Sequence, residues 1–332
     1  MNILCIGAAV MDIMGYPIDQ KKEWKEKQRV SDIRILPGGD AVNQSIFMAK
    51  LGEKPSLAAC IGADTNGMLL KSALKDMGVD TGYVKEKKDS ATGTAMVLVS
   101  EEGERRIFSV KGAHSTLSEN DVPLVSQLPE NCRAISLASL FSMPEWEEQG
   151  LLEYLKEAKE QGIQVFADLA ADKLGLGLDG IQRFLPYIDY FLPSLYDVLT
   201  MTGTVTAEEA ADVFHSFGVP AVIIKCGEQG CYCSVCAEQE HPLVLHVDNM
   251  KMEQGKRKLQ TWIPATPVKP VDTTGAGDCM VGVFVVRILA GDSVDDACRY
   301  ACEAASYSTL YTGASTADLT TWMRERNNSL DT

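Results

Sequence analysis

The chain has 332 residues, 45% of them hydrophobic and 23% charged, which is ordinary for a globular protein with a sizeable core. That length suits one large α/β domain with an appendage, or two domains. A formal charge of −15 argues against broad binding to nucleic acid or anionic membranes, which need a cationic face, and leaves room only for a local basic site.

The N-terminus, MNILCIGAAVMDIMG, lacks a basic leader, and residues 2–8 read as a buried strand. Residues 41–51 read as a helix stopped by Gly52, 56–62 as a strand, and 67–78 as an amphipathic helix ending in glycine. Strands at 91–100 and 105–110 flank EEGE, a hairpin signal. A strand at 134–139 precedes a helix from Trp146 to Gln161, and strands follow at 163–169 and 189–194. Residues 207–218 read as a helix and 221–227 as a strand. The polar stretch 237–262 reads as an exposed hairpin or loop excursion. Val268 and Val271 suggest a short strand, limited by Pro267 and Pro270. The apolar run Val281–Leu289 is a buried helix stopped by Gly291, and 295–311 is another helix. No run reaches the ~18 apolar residues of a membrane span.

Strands alternating with helices predict a mostly parallel sheet covered on both faces. Strands near 13–18, 30–36 and 91–110 fall outside that alternation and predict a small separate sheet inserted early in the chain. The ten cysteines are scattered, several in apolar runs (Cys5, Cys60, Cys226), as in a reduced, cytoplasmic protein. The cluster Cys231, Cys233, Cys236 lacks paired C-x-x-C spacing and reads as a strand, not a metal site. His114, His215, His241 and His246 have no companion nucleophile and read as surface or satisfied histidines.

Chemistry concentrates in three glycine-bearing stretches. In VDTTGAGDCM (271–280), Gly275, Ala276 and Gly277 stand where a helix begins. Free N–H groups and the helix dipole make such a place an anion site. Asp278 in the first turn would repel a bound phosphate, but suits a base that deprotonates a nucleophile attacking it. In LPGGDAVNQ (36–44), Gly39 permits close backbone approach, and Asp40 and Asn43 open a helix. GAAVMD (7–12) is an apolar strand ending in Asp12. Ligands of parallel sheets sit beyond the carboxyl ends of strands, so these residues can converge on a polyhydroxylated ligand. Taken singly, each has a plainer reading: Asp40 and Asn43 as helix caps, Asp12 as a turn residue, GAGD as a positive-φ turn. Neither G-x-G-x-x-G nor GxxxxGK[ST] occurs in the right context.

Together, PGGDAVNQSIFMAKLG and VDTTGAGD resemble the two signatures of the ribokinase-like (PfkB-type) carbohydrate and nucleoside kinases. CIGADTNGMLLKSALKDMGVDT, VKGAHSTL, VIIKCGEQGCY and TGAS extend the resemblance to about residues 2–320. It implies a three-layer α/β/α doubly wound fold, residues 1–325 as one kinase domain, and a small β-sheet lid from about 12–36 and 91–110. It implies transfer of the ATP γ-phosphate to a hydroxyl, commonly a primary CH2OH, with Mg2+ on the phosphates. Asp278 matches the catalytic base, and Gly275, Ala276 and Gly277 the anion hole. Asp12, Gly39 and Asn43 match sugar-binding positions, and Asp40 adjoins them. Lys225, Gly227 and Gly230 match the region lining the ATP phosphates, as does Thr273. Cys302, Ser306, Gly313 and Ala314 match the adenine side. A monovalent cation, K+, near Asp272 is a further implication.

Several departures bear on substrate. Ser194 and Asp197 stand where relatives carry N-x-x-E, leaving Asp197 as the Mg2+-side carboxylate, acting through water. Asp40 replaces Lys, Ala or Ser, which suits a further hydroxyl and disfavours an acidic sugar. Val10 replaces the sugar-touching Asn of ribokinases. The expectation is a kinase for a small neutral sugar, ribose- or fructose-like. The rivals are a nucleoside kinase of the same fold, a non-catalytic sugar-binding homologue and, more remotely, a nicotinamide oxidoreductase. The apolar lid strand Ala95–Val99 would be buried by pairing two lids in a homodimer.

Overall fold

The computed structural model of the chain describes residues 2–19, 27–101, 105–238, 251–253 and 256–330; His241 and His246 lie outside them. The chain opens with strands β1 (Ile3–Ile6), β2 (Val10–Ile18) and β3 (Asp32–Gly38), then α1 (Asp40–Lys50), β4 (Ser56–Gly62), α2 (Thr65–Asp76) and β5 (Asp80–Lys87). A hairpin follows, β6 (Gly93–Ser100) and β7 (Arg105–Val110). Next come β8 (Ala134–Leu140), α3 (Pro144–Gln149), α4 (Leu151–Glu160), β9 (Gln164–Leu169), α5 (Gly177–Ile181) and β10 (Tyr190–Phe191). After α6 (Leu195–Thr202), α7 (Ala207–Ser216) and β11 (Ala221–Lys225) come β12 (Cys231–Glu238), β13 (Lys251–Glu253) and β14 (Lys256–Ile263). Helices α8 (Ala276–Ala290), α9 (Val294–Ser308) and α10 (Leu319–Leu330) close the chain.

Ten strands join in the order β13-β14-β12-β11-β10-β9-β8-β1-β4-β5. Pairing is parallel from β11 to β5, and the edge strands β12, β14 and β13 are antiparallel. The alternation of β1 shows why its sequence is apolar throughout. Ile3 and Cys5 belong to one core cluster, with Phe47 of α1, Phe284 of α8 and Ala297 of α9, while Leu4 and Ile6 belong to the other, with Trp146 of α3, Leu155 of α4 and Phe214 of α7. Helices therefore cover both faces, giving the three-layer α/β/α arrangement. Helix α8 is buried on all sides over Cys279–Val286, which accounts for its unbroken apolar run. A Cβ on Gly282 would stand 2.9 Å from the Gln44 carbonyl, so α8 crosses α1 closely. That contact brings the two helix N-termini together.

The small sheet has the order β3-β2-β6-β7, with β2 antiparallel to β3 and parallel to β6. Its faces differ. Met14, Val97 and Val99 are buried together, whereas Ile33, Ile35 and Met96, on the other face, are 66%, 56% and 46% exposed. The apolar run Ala95–Val99 is thus split between faces rather than exposed as a whole.

Several expectations are corrected. Residues 264–275 form no strand: Pro264, Pro267 and Pro270 lack donors, and Val268 and Val271 are partly exposed. The helix expected over 146–161 starts at Pro144 and is broken at Gly150, whose φ of −133° leaves the helical range. The strand expected at 189–194 is only Tyr190–Phe191, followed within two residues by Pro193. The stretch 237–262 carries the β12/β14 hairpin arms, with residues 239–250 and 254–255 outside the described set. Both ring nitrogens of His215 are engaged, with Val219 O (2.7 Å) and Ser234 Oγ (2.8 Å), a satisfied core histidine. No helix among the described residues is long and apolar enough to cross a membrane.

Candidate active site

The N-terminus of α8 is a braced turn. Gly275 caps it with φ 73°, and a Cβ there would stand 2.3 Å from the Ala314 carbonyl, so the position admits only glycine. The Asp272 carboxylate holds the approach, accepting from Thr274 N (2.9 Å), Thr274 Oγ1 (2.6 Å) and Gly313 N (2.9 Å). The first N–H groups of α8 point out of this turn without helical partners. Ala276 N–H makes only a long 3.3 Å bond to Thr273 O.

One turn into α8, Asp278 Oδ2 accepts a 2.8 Å hydrogen bond from Asn43 Nδ2 of α1. Asn43 is 4% exposed, and its Oδ1 is a buried acceptor without a protein partner among the described residues. Gly39, with φ 96°, lies so near the β1–β2 turn that a Cβ would stand 2.5 Å from Ala8 O. A Cβ on Gly38 would overlap the Asp12 carboxylate. These glycines let α1 start against β2, with Asp12 and Asp40 side by side. Asp40 Oδ2 accepts from Ser139 Oγ (3.2 Å), which itself accepts from Ala8 N (3.1 Å). The cap readings of Asp40 and Asn43 fall: α1 has no side-chain cap. Asp12 is a strand residue, not a turn residue.

Two further groups were not singled out by sequence reasoning. Asp168, at the end of β9 and 5% exposed, forms an ion pair with Lys225 at the end of β11. Ser139, at the end of β8, is fully buried. The signal for Asp168 was present in VFADL: an acid closing an apolar strand, the same cue that marked Asp12.

The cluster is electrostatically unfavourable without a ligand. Burial pushes Asp12 up to about 6. Burial, then the nearby Asp168 charge, pushes Asp40 up to about 6, with Ser139 and Lys225 opposing. Asp278 is held well above the usual carboxylate range by burial and by Asp40, against the Asn43 hydrogen bond and Lys225. Burial also raises Asp168, with Lys225 opposing. Lys225 is the cation these carboxylates share, and a Cβ on Gly277 would stand 3.8 Å from its Nζ.

On the other side of Gly277 lies a cleft of about 760 Å3. Lys225, Gly227, Gly230, Thr273, Ala276 and Gly277 line one end; Cys302 and Ser306 line α9's wall, with Pro267, Val268 and Met280 adding apolar surface. A helix N-terminus and an ammonium at one end of an apolar-walled cleft can hold a polyphosphate with a flat group beyond it. The part-buried carboxylates of Asp12, Asp40 and Asp278 can hold hydroxyls.

The pfkB family carbohydrate kinase profile matches residues 1–322. The chain belongs to that family. It is an ATP-dependent sugar kinase. A ribokinase from Haemophilus influenzae is 30% identical over 293 residues, covering 85% of this chain and 83% of the relative. A ribokinase structure from Thermotoga maritima superimposes with TM-score 0.75 at 25% identity, covering 98% of this chain and 99% of the other. An Arabidopsis thaliana ribokinase complexed with ribose and ATP gives TM-score 0.74 at 25% identity, covering 97% of each.

In this pfkB-family kinase three expected positions, Gly313, Ala314 and Asp197, are not among the residues lining the cleft. Ala314 packs behind Gly275, and Gly313 meets Leu36 of β3 and donates to the Asp272 carboxylate, so both brace the turn at the start of α8. Asp197 is also absent from the cleft lining: Ser194, which does line it, caps α6 and donates a 2.5 Å bond to the Asp197 carboxylate.

Proposed function

We propose that residues 1–325 form one kinase unit that moves the γ-phosphate of ATP to a primary hydroxyl of a small neutral sugar, ribose- or fructose-like. The observation that carries this is the 2.8 Å Asn43–Asp278 contact, which sets a carboxylate between the acidic cluster and the N-terminus of α8. In this reading Asp12, Gly39, Asp40 and Asn43 hold the acceptor's hydroxyls, and the unpartnered Asn43 Oδ1 accepts one of them. Asp278 takes the proton of the attacking hydroxyl. The N–H groups of Gly275, Ala276 and Gly277 and the Lys225 ammonium meet the charge of the moving phosphoryl group. Gly227, Gly230 and Thr273 line the phosphates, and Cys302 and Ser306 the nucleoside. The small sheet acts as the lid that keeps water from competing as acceptor.

Mg2+, when bound, supplies positive charge shared between phosphate oxygens. The donor present is Asp197, whose carboxylate accepts from cleft-lining Ser194 and would hold the ion through water. Neutral acceptors are favoured because Asp12, Asp40 and Asp278 would repel a substrate carboxylate. Val10, in place of a sugar-touching amide, argues for an acceptor other than ribose itself, or for ribose held mainly through Asp40.

The test is ADP release with Mg-ATP over ribose, fructose, other neutral sugars, acidic sugars and nucleosides. Turnover on one neutral sugar supports the reading. Turnover on nucleosides alone moves the substrate to the rival class, and preference for an acidic sugar overturns the role given to Asp40.

Asp40 also gives a pH prediction. Its folded pKa is raised to about 6, so its burial is tolerated below the unfolded value and costs stability as pH rises through about 6. Asp40→Asn should therefore raise Tm more at pH 7.5 than at pH 5, while acceptor KM rises at pH 7.5. Equal Tm shifts at both pH values would contradict the assignment.

We also read the outer lid face of Ile33, Ile35 and Met96 as the surface buried against a second copy. Sedimentation of the wild type should give a dimer and Ile35→Glu a monomer; a monomeric wild type removes this reading.

A further inference from the structure

Four cysteines meet where the wall of the cleft is built. Cys231 and Cys233 alternate on β12, and Cys298 and Cys302 stand one turn apart on α9. The Cys302 thiol donates to Cys231 Sγ across 3.6 Å. Cys298 lies beside Cys231 and Cys233. Cys231, Cys233 and Cys298 are fully buried, and Cys302, at 4% exposure, is the member of the group that lines the cleft. All four are free thiols. Both members of the closest pair are tied to the cleft's shape. Cys231 follows Gly230, which lines the cleft, and Cys302 shares α9 with the lining residues Ala305, Ser306 and Thr309.

We propose that Cys302 and Cys231 form an oxidation site at which a peroxide-class oxidant, entering the nucleotide-free cleft, joins the two sulfurs in a disulfide that weakens ATP binding. The proposal rests on reading the cleft as the nucleotide site. Cys302 meets the oxidant first. Its sulfur attacks a peroxide oxygen, the O–O bond breaks, and the Cys302 thiol proton goes to the departing hydroxide, leaving Cys302 as a sulfenic acid plus one water. Cys231 then attacks the Cys302 sulfur; the S–S bond forms, the S–O bond breaks, and the second water leaves with the remaining proton. Two electrons pass from the sulfurs to the peroxide. Cys231 suits the resolving role because its sulfur already lies 3.6 Å from that of Cys302; the hydrogen bond to Cys231, with burial, holds the Cys302 thiol above the ordinary range, so the first step is slow. A disulfide needs a sulfur separation near 2.05 Å, so the pair must close by about 1.5 Å from its 3.6 Å contact. That closure draws α9 and β12 together. A bound nucleotide occupies the oxidant's path and holds the walls apart, so it protects.

The experiment oxidises the full-length, nucleotide-free enzyme with hydrogen peroxide, maps peptides without reduction, and measures ATP binding by calorimetry before and after. The expected results are a Cys231–Cys302 linked peptide, a Kd for ATP raised at least tenfold, restoration by dithiothreitol, and protection by a non-hydrolysable ATP analogue. Cys231→Ser and, as a second variant, Cys231→Ala should keep ATP affinity through the same treatment. Absence of the linked peptide, a linked enzyme with unchanged Kd, or equal loss of binding in the Cys231 variants overturns the proposal. Wild-type peptide mapping and Kd decide the matter alone if neither variant folds. Failure of the untreated enzyme to bind ATP would instead overturn the cleft reading, which separates the two failures.

Discussion

Asp278→Asn should lower kcat by about 10²–10⁴, the usual contribution of a positioned general base, while ATP still binds. The substitution is nearly isosteric, and the new amide oxygen can still accept from Asn43, so the α1–α8 junction is kept. What is lost is the proton acceptor. The stability of the same variant provides an independent check. Asp278 is part-buried beside Asp40 and Asp168, and its carboxylate is held well above the ordinary range. A raised folded pKa means that stability present in acid is lost as pH rises through the folded value. Asn carries no such charge, so the variant's Tm should exceed the wild type's, and by more at pH 8 than at pH 5. Steady-state kinetics with calorimetry at two pH values measures both. A dead enzyme with a lowered Tm would point to damaged structure rather than a missing base, and unchanged kcat would refute the mechanism.

Lys225→Met should be damaging in a different way. Its ammonium is paired with Asp168, both side chains largely buried at 14% and 7% exposure, and it is the cation that opposes the raised pKa of Asp40, Asp168 and Asp278. Removing one partner of such a pair typically costs about 3–5 kcal/mol, because the other charge is left uncompensated. The loss should be smaller at pH 5 than at pH 8, since Asp168 can take up a proton once its partner is gone. Asp168→Asn on the same background should recover much of the Tm but not the phosphate-side activity. KM for ATP should rise in both variants, because the cation beside Gly277 is absent from each. If the double variant is no more stable than Lys225→Met alone, the ion pair is not the source of the cost.

The parts of the site that were legible in sequence are those where the backbone dictates the residue. Gly275 must take a positive φ against Ala314, and Gly39 must pass close to Ala8, so glycine is written there and the motif is visible. Asp12 was singled out as an acid ending an apolar strand, whereas it is the third residue of β2. Asp168 carries the same cue, but its importance depends on Lys225, 57 residues away, and no local pattern encodes that pairing. Ser139 is a small polar residue in an apolar strand and becomes informative only when Asp40 and Ala8 arrive beside it. The layered sheet was legible because β1, β4 and β8 are buried on both faces and so are apolar throughout. The misreadings had local causes. Val271 looked like a strand because valine favours one, but three prolines strip the segment of donors. The lid run Ala95–Val99 suggested an apolar face to be buried between two lids, but its alternation gives apolar residues to both faces.

The bracing of Gly275 by the 313–314 turn bears on how the enzyme comes into being during synthesis. Asn43 must wait for Asp278, 235 positions later, and the anion turn must wait for Gly313 and Ala314, while Lys50 donates to the carbonyls of Ser315 and Ala317. A ribosome can therefore release most of the parallel sheet into the cell before any phosphoryl-transfer centre exists. A chain cut short of residue 313 would keep most of the core that a folding probe detects, yet lack the backbone that packs against Gly275, so fragments left by premature termination should be foldable but inert.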